Sequence, residues 1–266
     1  MAISLKNLTH KKAPSPPRVL IFGPPGMGKT TVAAEAPNPV FIQTEDGYPS
    51  DLPDPPPRFE REMLGDFNGV LDAVNALIVE DHDRQTLVID SLDKLEPWVW
   101  EATCRENNWA TIEQPGYGKG YLAAEAQWRD LLTGLNVLRR ERGMAIWLIA
   151  HSTIETVNDP TTVAYSRFDI RLQKRATALF QDEMDAILFI NQDVTIKQDD
   201  PKAKTSRSRA DGGGNRWIYT APRPAFVAKN RFGIPDKILC ERGNTYAQLA
   251  PFFPDPGQPL AAAEAA

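Results

Sequence analysis

Eight consecutive residues carry the sharpest chemical signal in this chain. Gly23-Pro24-Pro25-Gly26-Met27-Gly28-Lys29-Thr30, followed by Thr31, fit the spacing G-x-x-x-x-G-K-[ST]. A loop can turn several successive backbone N–H groups onto one anion only where side chains leave room, which Gly23, Gly26 and Gly28 provide. An apolar run, Val19 to Phe22, precedes the loop, and a helical stretch, Thr31 to Ala36, follows it. Phosphates would therefore meet a helix N-terminus, where the backbone dipole favours negative charge. In this pattern Lys29 reaches the β- and γ-phosphates of a nucleoside triphosphate such as ATP, and the Thr30 hydroxyl ligates Mg²⁺.

A phosphate loop needs a second carboxylate to hold the metal. Thr86-Leu87-Val88-Ile89-Asp90-Ser91 supplies one, with Asp90 at the end of an apolar strand; standing alone, such a residue reads equally well as a strand-end turn. Hydrolysis further requires a group that positions water in line with the γ-phosphate. Val40 to Gly47 ends a strand in Glu45 and Asp46, and either could do so from the carboxyl edge of the sheet. A third apolar strand, Ala145 to Ala150, runs into His151, whose plain alternative is a structural histidine. Near the end, Lys229 and Arg231 lie two apart, so in an extended strand both face one side; a basic strand end in solvent would look the same.

The elements that must hold these groups are legible in the apolar runs. Val19 to Phe22, Val40 to Ile42, Leu87 to Ile89, Ala145 to Ile149 and Ala186 to Ile190 are short, continuous and rich in Val and Ile, as strands covered on both faces are. Between them, Asp66 to Glu80 and Leu122 to Arg142 carry apolar residues at helical spacing. Strands alternating with helices imply a three-layer α/β fold with a mostly parallel sheet. Trp217 to Tyr219 and Ala225 to Val227 read as antiparallel strands added at one edge. We expect a core over residues 17–250, a flexible arm over 1–16, a loose proline-rich loop from Pro49 to Pro57, and a disordered Pro/Ala-rich tail over 251–266.

Composition sets outer limits. With 266 residues, 42% apolar and 24% charged, the chain can bury a sizeable core without staples. Two cysteines, and no apolar run approaching a bilayer span, suit a reduced, cytoplasmic protein without a membrane partner. The net charge of −5 argues mildly against nucleic acid as a whole-chain figure. Its distribution is uneven, because residues 51–100 carry −8 and residues 151–250 carry +3. The densest basic stretch, Lys197 to Arg231, reads either as a contact surface or as a solvated hairpin.

Phe41-Ile42-Gln43-Thr44-Glu45 resembles the strand that ends in the catalytic glutamate of RecA-like recombinases, and Val88-Ile89-Asp90-Ser91 resembles their Walker B strand. By that resemblance Glu45, rather than Asp46, activates water. His151 falls at the place of a γ-phosphate sensor that relays the nucleotide state. Ala228-Lys229-Asn230-Arg231-Phe232-Gly233 resembles the Lys-x-Arg finger of DnaB-type helicases. The resemblance therefore implies a homo-oligomer, ring or filament, in which Lys229 and Arg231 act in trans on a neighbour's nucleotide. The match runs from about Arg18 to Gly233. It is most similar to the minimal RecA-like ATPases of bacteriophages, the group that includes Sak-type single-strand annealing proteins.

Such cores expose two loops to single-stranded DNA. The first here contains Tyr117, Lys119 and Tyr121 in a glycine-spaced run suited to backbone contact and base stacking. The second carries Arg167, Arg171, Lys174 and Arg175. Tyrosines packed on the fold, and a basic helix face, are the respective alternatives. The expected function is thus an ATP-hydrolysing enzyme that binds single-stranded DNA in phage recombination or replication, inside the bacterial host cell, with a phage or host single-strand-binding protein as a possible partner. The other readings are a nucleotide-gated assembly or loader module with little turnover, and a small-molecule kinase.

Overall fold

The computed structural model describes residues 15–46, 55–198 and 208–254. Most of the expected N-terminal arm, residues 49–54 of the proline-rich loop and the end of the tail lie outside the described residues. The strands are β1 (Arg18–Gly23), β2 (Pro39–Gln43), β3 (Arg58–Phe59), β4 (Thr86–Asp90), β5 (Ala145–Val157), β6 (Tyr165–Ile170), β7 (Ala186–Gln198), β8 (Ser208–Tyr219), β9 (Lys229–Asn230) and β10 (Lys237–Leu239). The helices are α1 (Lys29–Ala34), α2 (Arg61–Leu64), α3 (Phe67–Val79), α4 (Leu92–Asn107), α5 (Lys119–Val137), α6 (Lys174–Glu183) and α7 (Thr245–Leu249).

The sheet order is β10-β8-β7-β1-β5-β4-β2-β3. The six strands from β7 to β3 are parallel, whereas β8 runs antiparallel to β7. This is the expected three-layer α/β architecture, mostly parallel with antiparallel additions at one edge. Its continuous apolar strands follow from double coverage: Leu20, Phe22, Ile42, Ile89 and Leu148 face α3 to α6. Val19, Ile21, Phe41, Val88 and Trp147 face α1, α7 and Phe253. Neither face of a central strand meets water, so neither selects polar residues.

Local signals place the outer layer. Asp66 caps α3, its Oδ1 accepting the N–H groups of Asn68 at 2.9 Å and Gly69 at 3.2 Å. Three expectations need correction. Ala225 to Val227 is not a strand; Phe226 makes only isolated bridges to Phe168 and Arg223, because its N–H and C=O are both bonded to Arg223 across a tight turn, at 3.1 and 3.2 Å, while its ring stacks on Phe189. The strand ending at His151 continues to Val157 and folds back as a hairpin with β6, carrying the following segment off the main sheet. Finally, the core does not stop at residue 250, since Phe253 packs edge-on against Trp147 and joins the buried cluster.

Candidate functional site

The parallel strands bring the chemical groups to one edge. β5 lies between β1 and β4, with Gly23 opposite His151 and Asp90 opposite Ile149, while Gln43 of β2 pairs with Asp90. The carboxyl ends of four strands therefore converge on one cleft.

The loop after β1 begins at a glycine that nothing larger can replace. A Cβ on Gly23 would sit 2.2 Å from the backbone oxygen of Ile190 on β7. Gly28, at φ +93°, turns the chain into α1 from the left-handed region that favours glycine. Lys29 is only 6% exposed, and its Nζ donates to the carbonyls of Gly23 at 3.1 Å and Pro24 at 3.0 Å. Burial lowers its pKa, and the negative charges of Asp90, Asp93 and Glu45 pull it partly back. Pro25, Gly26, Thr30 and Thr31 line the same cleft, and the Met27 carbonyl accepts a hydrogen bond from Arg216.

The Thr30 hydroxyl donates to Asp90 Oδ2 at 2.7 Å. Burial raises the Asp90 carboxyl to about 6, the Thr30 hydrogen bond opposing the shift. A carboxylate and a hydroxyl held together in this way are a donor pair that Mg²⁺ accepts. Among the described residues no group of three His, Cys, Asp or Glu side chains forms a protein cage. Phosphate oxygens and water must complete such a site, as they usually do for Mg²⁺.

Thr44 locks β2 to β4. Its N–H donates to the Asp90 carbonyl at 2.7 Å, its hydroxyl donates to the Ser91 carbonyl at 2.7 Å, and its Oγ1 accepts the Ser91 N–H at 2.9 Å. The next residue, Glu45, is thereby fixed beside Asp90, with its Oε2 accepting the Ser91 hydroxyl at 3.0 Å. Asp46, by contrast, is exposed and does not line the cleft.

His151 Nδ1 lies 3.1 Å from both oxygens of Asp93 and 3.8 Å from Glu45 Oε2, and its backbone N–H donates to Asp93 Oδ1 at 2.9 Å. Asp93 also pairs with Arg171. Burial opposes the Asp93 charge, but the hydrogen bonds from His151 and Arg171 outweigh it and hold the carboxyl well below its usual range.

One turn along α4, Glu96 accepts the Gln173 N–H at 2.9 Å. Burial pushes its carboxyl up to about 7, against that hydrogen bond and with the help of the Asp93 charge. A carboxyl raised above its ordinary 4.5 stabilises the fold fully below that pH and loses the contribution as pH rises through about 7. Glu96→Gln, which keeps an acceptor for Gln173, should therefore stabilise the protein at pH 8 by on the order of 1–3 kcal/mol and leave it unchanged at pH 4.5. Thermal melts at the two pH values check this, and an equal shift at both would refute it.

The cleft, about 380 Å³, has a further wall that sequence reasoning missed. Glu35, capping the C-terminal end of α1, accepts the N–H of Gly243 at 2.7 Å and of Tyr246 at 2.8 Å, tying the start of α7 and the residues before it to the phosphate-loop helix. Cys240, Arg242 and Thr245 thereby line the cleft together with Arg216 from β8. The one signal for Arg216 was its place in the basic stretch from Lys197 to Arg231. The others carry no motif, and neither does Asp93; Thr44 lies in the quoted run before Glu45, but nothing in the sequence marked its role in locking β2 to β4.

The remaining candidates fall elsewhere. Lys229 Nζ donates to the carbonyls of Gln181 and Asp182, and Arg231 pairs with Asp185 at 3.3 Å. Asp185 also holds Arg18 and Arg139, so this cluster sits at the sheet edge opposite the phosphate loop. Lys119 and Tyr121 lie in the first turn of α5, not in a loop. The Tyr121 ring meets Trp100 edge-on at 5.5 Å and its hydroxyl donates to Glu113, whereas Tyr117 is fully exposed. Arg167 on β6 pairs with Asp169, and Lys174 and Arg175 open α6, with Arg175 paired to Glu125.

The stretch that builds this geometry coincides with a known family. Residues 15–232 match the family model described as an AAA domain. No curated protein matches the chain.

Proposed function

The chain belongs to the AAA-domain family of P-loop ATPases, whose model spans most of it, and from that premise we propose that it hydrolyses ATP with Mg²⁺ while bound to single-stranded DNA. The observation that carries the hydrolytic half is the convergence of Lys29, Thr30, Asp90, Glu45 and His151 on one cleft. Lys29 and the loop amides hold the phosphates, the ammonium exchanging its two carbonyl acceptors for phosphate oxygens. Thr30 and Asp90 would hold Mg²⁺, which would supply charge neutralisation for the phosphates. Glu45, kept in place by Ser91, orients the attacking water and accepts its proton. Glu45 beside Asp90, a position suited to orienting water, favours hydrolysis over the kinase reading.

Support for the DNA half is electrostatic. Arg167 and Lys174 line a second cavity of about 320 Å³ beside the β5–β6 hairpin, with Arg171 close by on the same connection. Arg167 and Arg171 are held by carboxylates that a phosphodiester can replace. Fully exposed Tyr117 offers a stacking surface for a base. The deciding measurement is ATP hydrolysis with and without single-stranded DNA over a salt series. Stimulation that fades with salt is expected, and no stimulation at any salt would defeat the DNA reading.

The proposal places the protein in phage recombination or replication in the cytoplasm of the bacterial host, beside a single-strand-binding protein. Its two cysteines are unpaired, and among the described residues no helix is long and apolar enough to cross a membrane. In an assembly, Lys229 and Arg231 would reach a neighbour's nucleotide, Arg231 leaving Asp185 to do so; its side chain is 54% exposed. Arg231→Ala should then bind ATP normally but hydrolyse it at least about tenfold more slowly. Wild-type activity from a monomer, measured by light scattering alongside hydrolysis, would remove the trans role.

A further inference from the structure

Asp93 belongs to no motif and does not line the cleft, yet it sits directly behind the cleft residue His151 and its carboxylate is shared among several partners. Its carboxylate, 3% exposed, accepts from the His151 backbone N–H, from the His151 ring and from Arg171. The first two partners sit beside the reacting groups, since His151 Nδ1 is 3.8 Å from Glu45 Oε2. The third is different, because the Arg171 side chain is 47% exposed and faces the basic connection between β6 and α6. A backbone bond from Arg171 N–H to the His151 carbonyl at 2.9 Å links the two residues a second time.

We infer that Asp93 is a positioning residue whose grip on His151 is set by whether Arg171 is bound to it or to a phosphodiester of single-stranded DNA. A guanidinium forms strong paired bonds with either carboxylate or phosphate, so the two acceptors compete for it. When DNA takes Arg171, Asp93 loses one of its two cationic or polar side-chain partners, and its full charge falls on the His151 ring. The ring then draws toward Asp93 and away from Glu45, freeing Glu45 for water. When DNA leaves, Arg171 returns and shares the carboxylate again. The field of Arg171 reaches Lys29 as well, where it opposes the ammonium charge. This inference rests on the DNA reading above for the identity of the ligand, but the Arg171–Asp93–His151 link stands on geometry alone.

The test uses the full chain with Arg171→Gln, a change at an exposed side chain, and two readouts. The first is ATP hydrolysis with saturating oligo(dT), read as kcat and KM for ATP. Wild type should be stimulated severalfold in kcat, whereas Arg171→Gln at saturating oligo(dT) should respond less than twofold, with KM for ATP within about threefold of wild type. Equal stimulation in the two proteins would overturn the inference. The second readout needs no DNA: the ring ¹⁵N shifts of His151, assigned by their loss in His151→Gln, should move in Arg171→Gln. Identical shifts in the two proteins would show that Asp93 transmits nothing and overturn the inference independently. If wild type is not stimulated by oligo(dT), the DNA reading fails, while the shifts still decide the link.

Discussion

Replacing Lys29 by Ala should lower ATP hydrolysis by at least about a hundredfold, because the largest single electrostatic contribution to phosphoryl transfer is a cation preplaced where charge develops. The expected stability change has the opposite sense. Lys29 is buried, its pKa is lowered by that burial, and its Nζ donates to the carbonyls of Gly23 and Pro24. Removing a desolvated ammonium relieves that penalty, so Lys29→Ala should melt no earlier than the wild type. Activity and melting measured on the same preparation separate the two effects. Hydrolysis at the wild-type rate in a folded Lys29→Ala protein would remove the active-site assignment altogether.

The second large effect is at Glu45. Glu45→Gln keeps an oxygen that can accept the Ser91 hydroxyl, so the 3.0 Å contact and the β2–β4 junction survive. On the proposed mechanism, what it loses is the negative charge that would orient water and take its proton. A general base contributes about 10²–10⁴ in rate, so kcat should fall by roughly that factor. ATP affinity should stay within about threefold, because the proposed phosphate contacts lie on Lys29 and the loop. Fluorescent-nucleotide binding and steady-state hydrolysis together check the split. An unchanged low rate would favour a nucleotide-gated module over an enzyme. Asp46→Asn is the natural companion, and it should leave hydrolysis intact, since that side chain is exposed outside the cleft.

The phosphate loop was legible because its chemistry is local. Gly23 to Thr30 work through backbone shape and two side chains, all within one strand–loop–helix passage, so spacing alone carries the pattern. The strands were legible for a related reason: residues covered on both faces have no polar positions, and runs such as Leu87 to Ile89 show it. Glu45, Asp90 and His151 could be placed at one edge because parallel strands put all their carboxyl ends together. Phe226 defeated the same reasoning, since its apolar neighbourhood serves an aromatic stack with Phe189 and Tyr219 and no ladder.

The sequence by itself determined the three-layer fold, the nucleotide loop and the strand ends that face it, since each depends on periodicity or on neighbours along the chain. Only the tertiary structure decided which residues complete the site. Asp93 meets Arg171 across 78 positions, Glu35 binds Gly243 across 208, and Arg216 reaches the Met27 carbonyl across 189. It also decided that Lys229 and Arg231 are engaged at the opposite edge within their own chain. Contacts of that kind leave no spacing in the sequence, because a carboxylate selects its partner by proximity in the folded chain and any basic residue delivered there by the sheet order would serve.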